Sequence, residues 1–218
     1  MKDLSGGIQK STKGIMDTFN AYMKQKYGPL QVDDDCDRRM AEAGHRRLSE
    51  DWKERLDMTL TTDELHHAVT KGGGNKALCT DGIGADFFKV NWETLKEDMS
   101  ELFSTIFFER KATEQQKRGV IVCIPKTAKP IYPTDFRPIT LLNTDCKIMT
   151  RILANLIRPA LVELLILSQH CGVLGKSIFD AVATVRDAIP YAETASIPVC
   201  VLSLDFEEAF DKISHNNL

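Results

Sequence analysis

The chain has 218 residues, of which 43% are hydrophobic and 27% charged, a profile of folded globular proteins that excludes a disordered or fibrous chain and suits one domain or a little more. The formal net charge of −3 by itself argues against nucleic-acid binding, and no apolar run approaches the roughly eighteen residues a membrane helix needs. Six scattered cysteines (Cys36, Cys79, Cys123, Cys146, Cys171, Cys200) include no C-x-x-C pair, which argues against a zinc site or a disulfide scaffold and for reduced, mostly buried thiols in an intracellular protein.

The first residues, MKDLSGG, have no apolar core, so no secretory leader is expected. Ile15, Phe19, Tyr22 and Met23 fall at helical spacing, and Gly28-Pro29 ends that helix. Asp33, Asp34, Asp35 and Asp37 form an acidic turn, followed by a charged, mostly helical stretch to about Leu56. Thr61 and Glu64 have the spacing of a capping box for a short helix with Leu65, Ala68 and Val69. Residues 71–75 are glycine-rich and read as a flexible loop.

Trp92, Leu95, Met99, Leu102, Phe103, Ile106 and Phe107 make an amphipathic stripe to about Arg110, the pattern of core packing. The β-branched run 119–124 is expected to be a strand ended by Pro125. Residues 126–138, with Pro130, Pro133 and Pro138, read as loop. A helix carrying Ile148, Ile152 and Leu156 starts at Asn143 or Thr144 and is expected to break near Pro159. Ser177 is placed to cap a further helix through Ile178, Val182, Val185 and Ile189, interrupted by Pro190. Residues 199–206 read as a second strand.

Charge is unevenly spread. Between Thr105 and Ala160 there are ten Lys or Arg and four acids, a net +6, so the remainder carries −9. Such a basic middle fits either a phosphate-facing surface or solvated helix faces.

The chemistry concentrates near residue 205. Alternation puts Val199, Val201, Ser203 and Asp205 on one strand face. An aspartate ending an apolar strand is costly to desolvate unless something pairs with it. Magnesium takes hard oxygen ligands; Asp205 is one candidate, with the backbone carbonyl of Phe206 beside it. The local alternative is that Asp205 caps a following helix through the amides of Glu207 or Glu208.

The whole string from residue 199, VCVLSLDFEEAFDKISHNNL, closely resembles motif A of the reverse transcriptases of LINE-type (non-long-terminal-repeat) retrotransposons, L-D-x-x-x-A-F-D-x-[IV]-x-H. Leu204, Asp205, Ala209, Phe210, Asp211, Ile213 and His215 match it. Three upstream segments agree in order. Residues 76–88, KALCTDGIGADFF, resemble K-x-P-G-x-D-G-[IL]-x-x-x-[FL]-[FY], with Leu78-Cys79 in place of Pro-Gly. Residues 122–142, VCIPKTAKPIYPTDFRPITLL, resemble the family's I-P-K…[FY]-R-P-I-[ST]-L motif. Residues 169–181, QHCGVLGKSIFDA, resemble Q-x-G-F-x-x-G-R-S-x-x-D-x, with Lys176 where arginine is usual.

The resemblance implies an α+β fold: helix-rich fingers plus the first strand and helix of a right-hand polymerase palm, incomplete. It implies a helical lead-in over residues 1–60 and a partial polymerase domain over 61–218. By carry-over, Asp205 is catalytic and a metal ligand, joined by the Phe206 carbonyl. Lys126, Arg137 and Lys176 contact nucleotide phosphates, as charge-assisted bonds require. Phe206 lines the nucleotide site, and Phe210 is the ring that crowds a ribose 2′-hydroxyl. Mg²⁺, an RNA template, a DNA primer and deoxynucleotides are the implied cofactor and partners, in the nucleus or cytoplasm and away from membranes.

A two-metal mechanism needs further carboxylates. The family takes them from a Tyr-x-Asp-Asp hairpin, and none of Tyr22, Tyr27, Tyr132 or Tyr191 begins one. The expectation is therefore a polymerase fragment inactive alone, marginally stable because the strand at 199–206 lacks partners. The alternative is a remnant that binds nucleic acid without catalysis.

Overall fold

A computed structural model describes residues 1–28, 46–74 and 76–205, together with Asp35, Arg38, Arg39 and Glu42. The acidic turn at Asp33, Asp34 and Asp37, Cys36, and everything from Phe206 onward lie outside the described residues. Seven helices and a two-stranded sheet are built among them: α1 Thr12–Lys26, α2 Glu50–Asp57, α3 Thr62–Thr70, α4 Ala85–Val90, α5 Trp92–Glu109, β1 Val120–Pro125, β2 Phe136–Leu141, α6 Thr144–Leu164 and α7 Ile178–Thr194, with a 3₁₀ turn at Pro133–Asp135. The described fold is thus helix-rich with a small sheet, compatible with an incomplete polymerase domain. No helix among the described residues is long and apolar enough to cross a membrane.

The chain divides into two compact units. One comprises residues 46–122 and 140–195. Its core is where the apolar stripes of three helices meet: Leu65, Ala68 and Val69 from α3, Trp92, Met99, Phe103 and Ile106 from α5, and Ile148 and Ile152 from α6. Burying each large side chain of this kind contributes roughly 1.5–3 kcal/mol, so these contacts rather than helix propensity hold the unit. Leu102, on the same expected stripe, is 38% exposed and lies outside the core.

Caps fix the helix starts. The Thr61 hydroxyl accepts from Glu64 N at 3.2 Å while the Glu64 carboxylate accepts from Thr61 N at 2.9 Å, the expected reciprocal pair. At α7, Ser177 Oγ accepts from Phe179 N at 3.2 Å and Asp180 accepts from Ser177 N at 3.1 Å. α6 begins at Thr144 as expected, with Asn143 before it.

Both proline expectations need correcting. α6 does not break near Pro159, and α7 is not interrupted by Pro190; both prolines sit inside continuous helices. A mid-helix proline costs about 3 kcal/mol, but buried residues follow each one: Ala160 is 1% and Ala192 5% exposed. Burial of Ala160 and Ala192, each just past its proline, accompanies the unbroken helices.

The other unit comprises residues 1–45, 123–139 and 196–218. Its N-terminus makes a small closed turn, an antiparallel bridge between Lys2 and Ile8. Lys2 N donates to the Ile131 carbonyl at 2.8 Å, and Phe19 of α1 meets Phe136 edge-on at 5.2 Å.

The sheet is a hairpin. An added Cβ on Gly119 would lie 3.3 Å from the Leu141 carbonyl, and Lys126 N donates to the Asp135 carbonyl at 2.7 Å; as one strand advances the other recedes, so β1 and β2 are antiparallel. β1 appears as expected. β2 was expected to be loop as far as Pro138, yet it spans Phe136–Leu141, because Pro138 needs no ladder donor on an edge strand.

Residues 199–205 correct the second strand expectation. They have no regular structure, and their side chains are exposed. Extended chain becomes a strand only by pairing its N–H and C=O groups with a neighbour, and no strand of the described residues flanks this segment.

Candidate functional site

Lys126 and Arg137 belong to the two strands of the hairpin, one just past β1 and the other within β2. The Lys126 ammonium donates to the Thr134 carbonyl at 2.9 Å. The turn between the strands is tied by Asp135, whose Oδ2 accepts from Ile131 N and Tyr132 N, both at 2.8 Å. Those bonds hold the Asp135 carboxyl below its ordinary value, with a smaller contribution from the Lys126 charge. Arg137 is exposed, and its guanidinium makes no hydrogen bond or ion pair among the described residues. A guanidinium held only by its strand is free to meet an anion bidentately.

Lys176 is placed differently. It precedes α7 in the other unit, and its ammonium donates to the carbonyls of Ile166 and Leu167 at 3.0 and 2.9 Å. The loop that brings it back beneath the end of α6 turns at Gly172 and Gly175, with φ of +75° and +76°, a region that glycine enters without steric cost. Lys176 thus closes this loop in the structure described.

Asp205 is exposed at the end of the irregular segment 199–205. Phe206 and Phe210, with Asp211 and His215, lie outside the described residues. Among the described residues no group of three or more His, Cys, Asp or Glu could hold a metal ion. Asp205 fits magnesium as one hard oxygen donor.

The segment 76–88 is bolted to the start of α6. Thr144 Oγ1 donates to the Ile83 carbonyl at 2.6 Å, and Cys79 Sγ donates to the Leu141 carbonyl at 3.2 Å. Asp81 Oδ1 accepts from Ile83 N at 3.1 Å, which explains the aspartate of that segment as a turn former. This arrangement brings Lys76 together with Lys147 and Arg151 around one cavity. The basic stretch between Thr105 and Ala160 contains Lys147 and Arg151 but not Lys76; the usable signal was the four-residue spacing of Lys147 and Arg151 on one helix face.

All five described cysteines are free thiols. Cys146 is the buried one, its Sγ 3.1 Å from the Gln116 carbonyl.

Comparison with known proteins gives two matches. Residues 124–218 match the family model described as reverse transcriptase (RNA-dependent DNA polymerase). That interval contains Lys126, Arg137, Lys176, Asp205, Phe206 and Phe210. Over 206 residues, or 94% of this chain, the sequence is 30% identical to the transposon TX1 uncharacterized 149 kDa protein of Xenopus laevis. The chain spans 16% of that relative's length.

Proposed function

We propose, since this chain belongs with the reverse transcriptases of LINE-type (non-long-terminal-repeat) mobile elements, that it contributes the nucleotide-contacting front of an RNA-directed DNA polymerase. Its substrates would be an RNA template, a DNA primer and deoxynucleotides. The observation that carries this reading is the order of Lys126, Arg137, Lys176 and Asp205, at matching motif positions, inside the matched interval 124–218.

Each residue has a stated part. Arg137 meets an incoming triphosphate as a rigid fork, and Lys126 adds a point charge from just past β1. Lys176 adds charge beside its loop. Phe210 excludes a ribose 2′-hydroxyl, and Phe206 lines the nucleotide and offers its carbonyl to the metal. Asp205 and that carbonyl would hold Mg²⁺, which when bound neutralises phosphate charge and activates the attacking oxygen. In this reading residues 1–60 are a helical lead-in and 61–218 fingers with the start of a palm, working in the nucleus or cytoplasm.

One carboxylate does not organise two magnesium ions, so a polypeptide of these 218 residues alone should not extend a primer on an RNA template. The decisive experiment is to read the locus past codon 218 and express the longer frame. Primer extension by that protein, abolished by Asp205→Asn, supports the assignment. Undiminished extension with Asp205→Asn, or templated extension by residues 1–218 alone, would overturn it. A second reading, nucleic-acid binding without chemistry, is favoured by the +6 charge between Thr105 and Ala160 and would show as RNA affinity that falls steeply with salt.

A further inference from the structure

A cavity of about 680 Å³ opens between the glycine-rich link after α3, the segment leading to α4, and one face of α6. Its charge is lopsided. Lys76, Lys147 and Arg151 line it against the single carboxylate of Asp86, which already faces Lys89 at 3.8 Å. The ammonium groups of Lys76 and Lys147 have no hydrogen bond or ion pair among the described residues, although the Lys147 backbone N–H donates to the Asn143 carbonyl at 3.1 Å at the start of α6. Arg151 is anchored: Nη1 donates to the Ala68 carbonyl at 2.7 Å, which fixes the guanidinium and leaves the rest of its fork for another acceptor.

The backbone comes close here. Gly72 is buried, and a Cβ on it would lie 3.1 Å from both the Ala85 Cβ and the Val69 carbonyl and 3.5 Å from Arg151 Nη1. The remaining wall is apolar, formed by Leu78, Phe87 and Leu141, with Phe87 48% exposed. A volume between about 300 and 1,000 Å³, with apolar walls and few convergent polar groups, is that of a ligand site.

We propose that this cavity holds the sugar–phosphate backbone of single-stranded nucleic acid, with successive phosphodiesters on Lys147 and Arg151 and Lys76 closing from the opposite wall. Lys147 and Arg151 stand one turn apart along α6, so their charges run in a line, as the phosphates of a strand do, rather than converging on one group. A half-exposed aromatic ring beside cations is the pairing that single strands use, one for base faces and the other for phosphates. The proposal rests on the polymerase reading and names a separate place where that enzyme grips its strand.

The test is a fluorescence-anisotropy titration of the 218-residue chain with a labelled single-stranded RNA oligonucleotide over about 50–200 mM salt. The variants are Lys76→Gln with Lys147→Gln, and Lys117→Gln as a control from the same basic stretch but outside the cavity. Arg151 is left intact because it ties α6 to α3. Each single-strand phosphate contact contributes about 0.7 to the salt slope, so the double variant should lower the slope by about 1.4 and weaken binding at least about tenfold, while Lys117→Gln changes little. Independently of any variant, bound RNA should shield Lys76 and Lys147 from acetylation on the unsubstituted chain, read by mass spectrometry.

Undiminished binding by the double variant, or equal loss with Lys117→Gln, overturns the cavity assignment and leaves the polymerase reading untouched. Displacement of the RNA by equimolar free nucleoside triphosphate overturns it in favour of a mononucleotide site. Failure of the unsubstituted chain to bind RNA overturns it as well, the polymerase reading being judged separately by primer extension.

Discussion

Asp3 shows how much one side chain organises where no core is present. Its two oxygens accept from Gln9 Nε2 at 2.9 Å, from the Ser5 hydroxyl at 2.8 Å and from Gly7 N at 2.8 Å. The Gln9 bond, followed by those from Ser5 and Gly7, lowers its pKa from 3.8 to about 2. A depressed carboxylate contributes stability that is complete above the unfolded value and lost as pH falls through the folded one. The turn over residues 1–9 should therefore open between pH 3.8 and about 2, seen as loss of the Gly7 amide shift by NMR, and Asp3→Asn should remove that pH dependence. Cys146 is the opposite case. Burial, aided by the neighbouring Asp145 charge, pushes its thiol up to about 11. Since the thiolate is the nucleophile, alkylation at about pH 8 should label the exposed Cys171 and Cys200 and spare Cys146 until the chain is unfolded; equal labelling in the native state would contradict this.

At the scale of elements, α5 carries the unit that contains it. Phe103 is fully buried in the core cluster that α3, α5 and α6 form, and Phe103→Ala should cost about 3–5 kcal/mol, measured by urea denaturation. A loss under about 1 kcal/mol would mean that the three-helix core is not what holds the unit. The elements readable from sequence are those whose signals are local. Thr61 with Glu64, and Ser177 with Asp180, sit three residues apart, and each box closes within its own turn. The stripe of α5 needs only its own periodicity. β2 was hidden because its partner lies across a proline-rich turn; nothing within residues 136–141 announces pairing. The continuity of α6 and α7 through Pro159 and Pro190 goes with burial of Ala160 and Ala192, a tertiary fact. The strand expected at 199–206 failed for the converse reason: alternation describes a face, but a strand also needs a neighbour.

For the whole molecule, stability should be graded. Backbone amides of α3, α5 and α6 are covered by the core, whereas Val199, Val201, Leu202 and Leu204 are 58–80% exposed and lack a hydrogen-bonded ladder. Hydrogen exchange should therefore be slowest over residues 62–70, 92–109 and 144–160 and nearly unprotected over 197–205; protection of 197–205 comparable to α5 would show that this segment is paired after all. The candidate site divides the same way. Lys126, Arg137 and Asp205 are candidates that the sequence names because a motif is a linear pattern. The grouping of Lys76 with Lys147 and Arg151 was not legible there, because the fold joins two stretches about seventy residues apart.

The bond from Lys2 N to the Ile131 carbonyl has a consequence for how the chain is made. The knot around Asp3 closes within nine residues and is ready as soon as they emerge. Its dock, beside Ile131, does not yet exist. At about 5–20 residues per second of synthesis, Lys2 waits roughly 6–26 s for its acceptor at Ile131 to be polymerised. During that interval the bonds within residues 3–9 are local ones that need no later part of the chain, so their closure suits the order of synthesis as well as the finished fold.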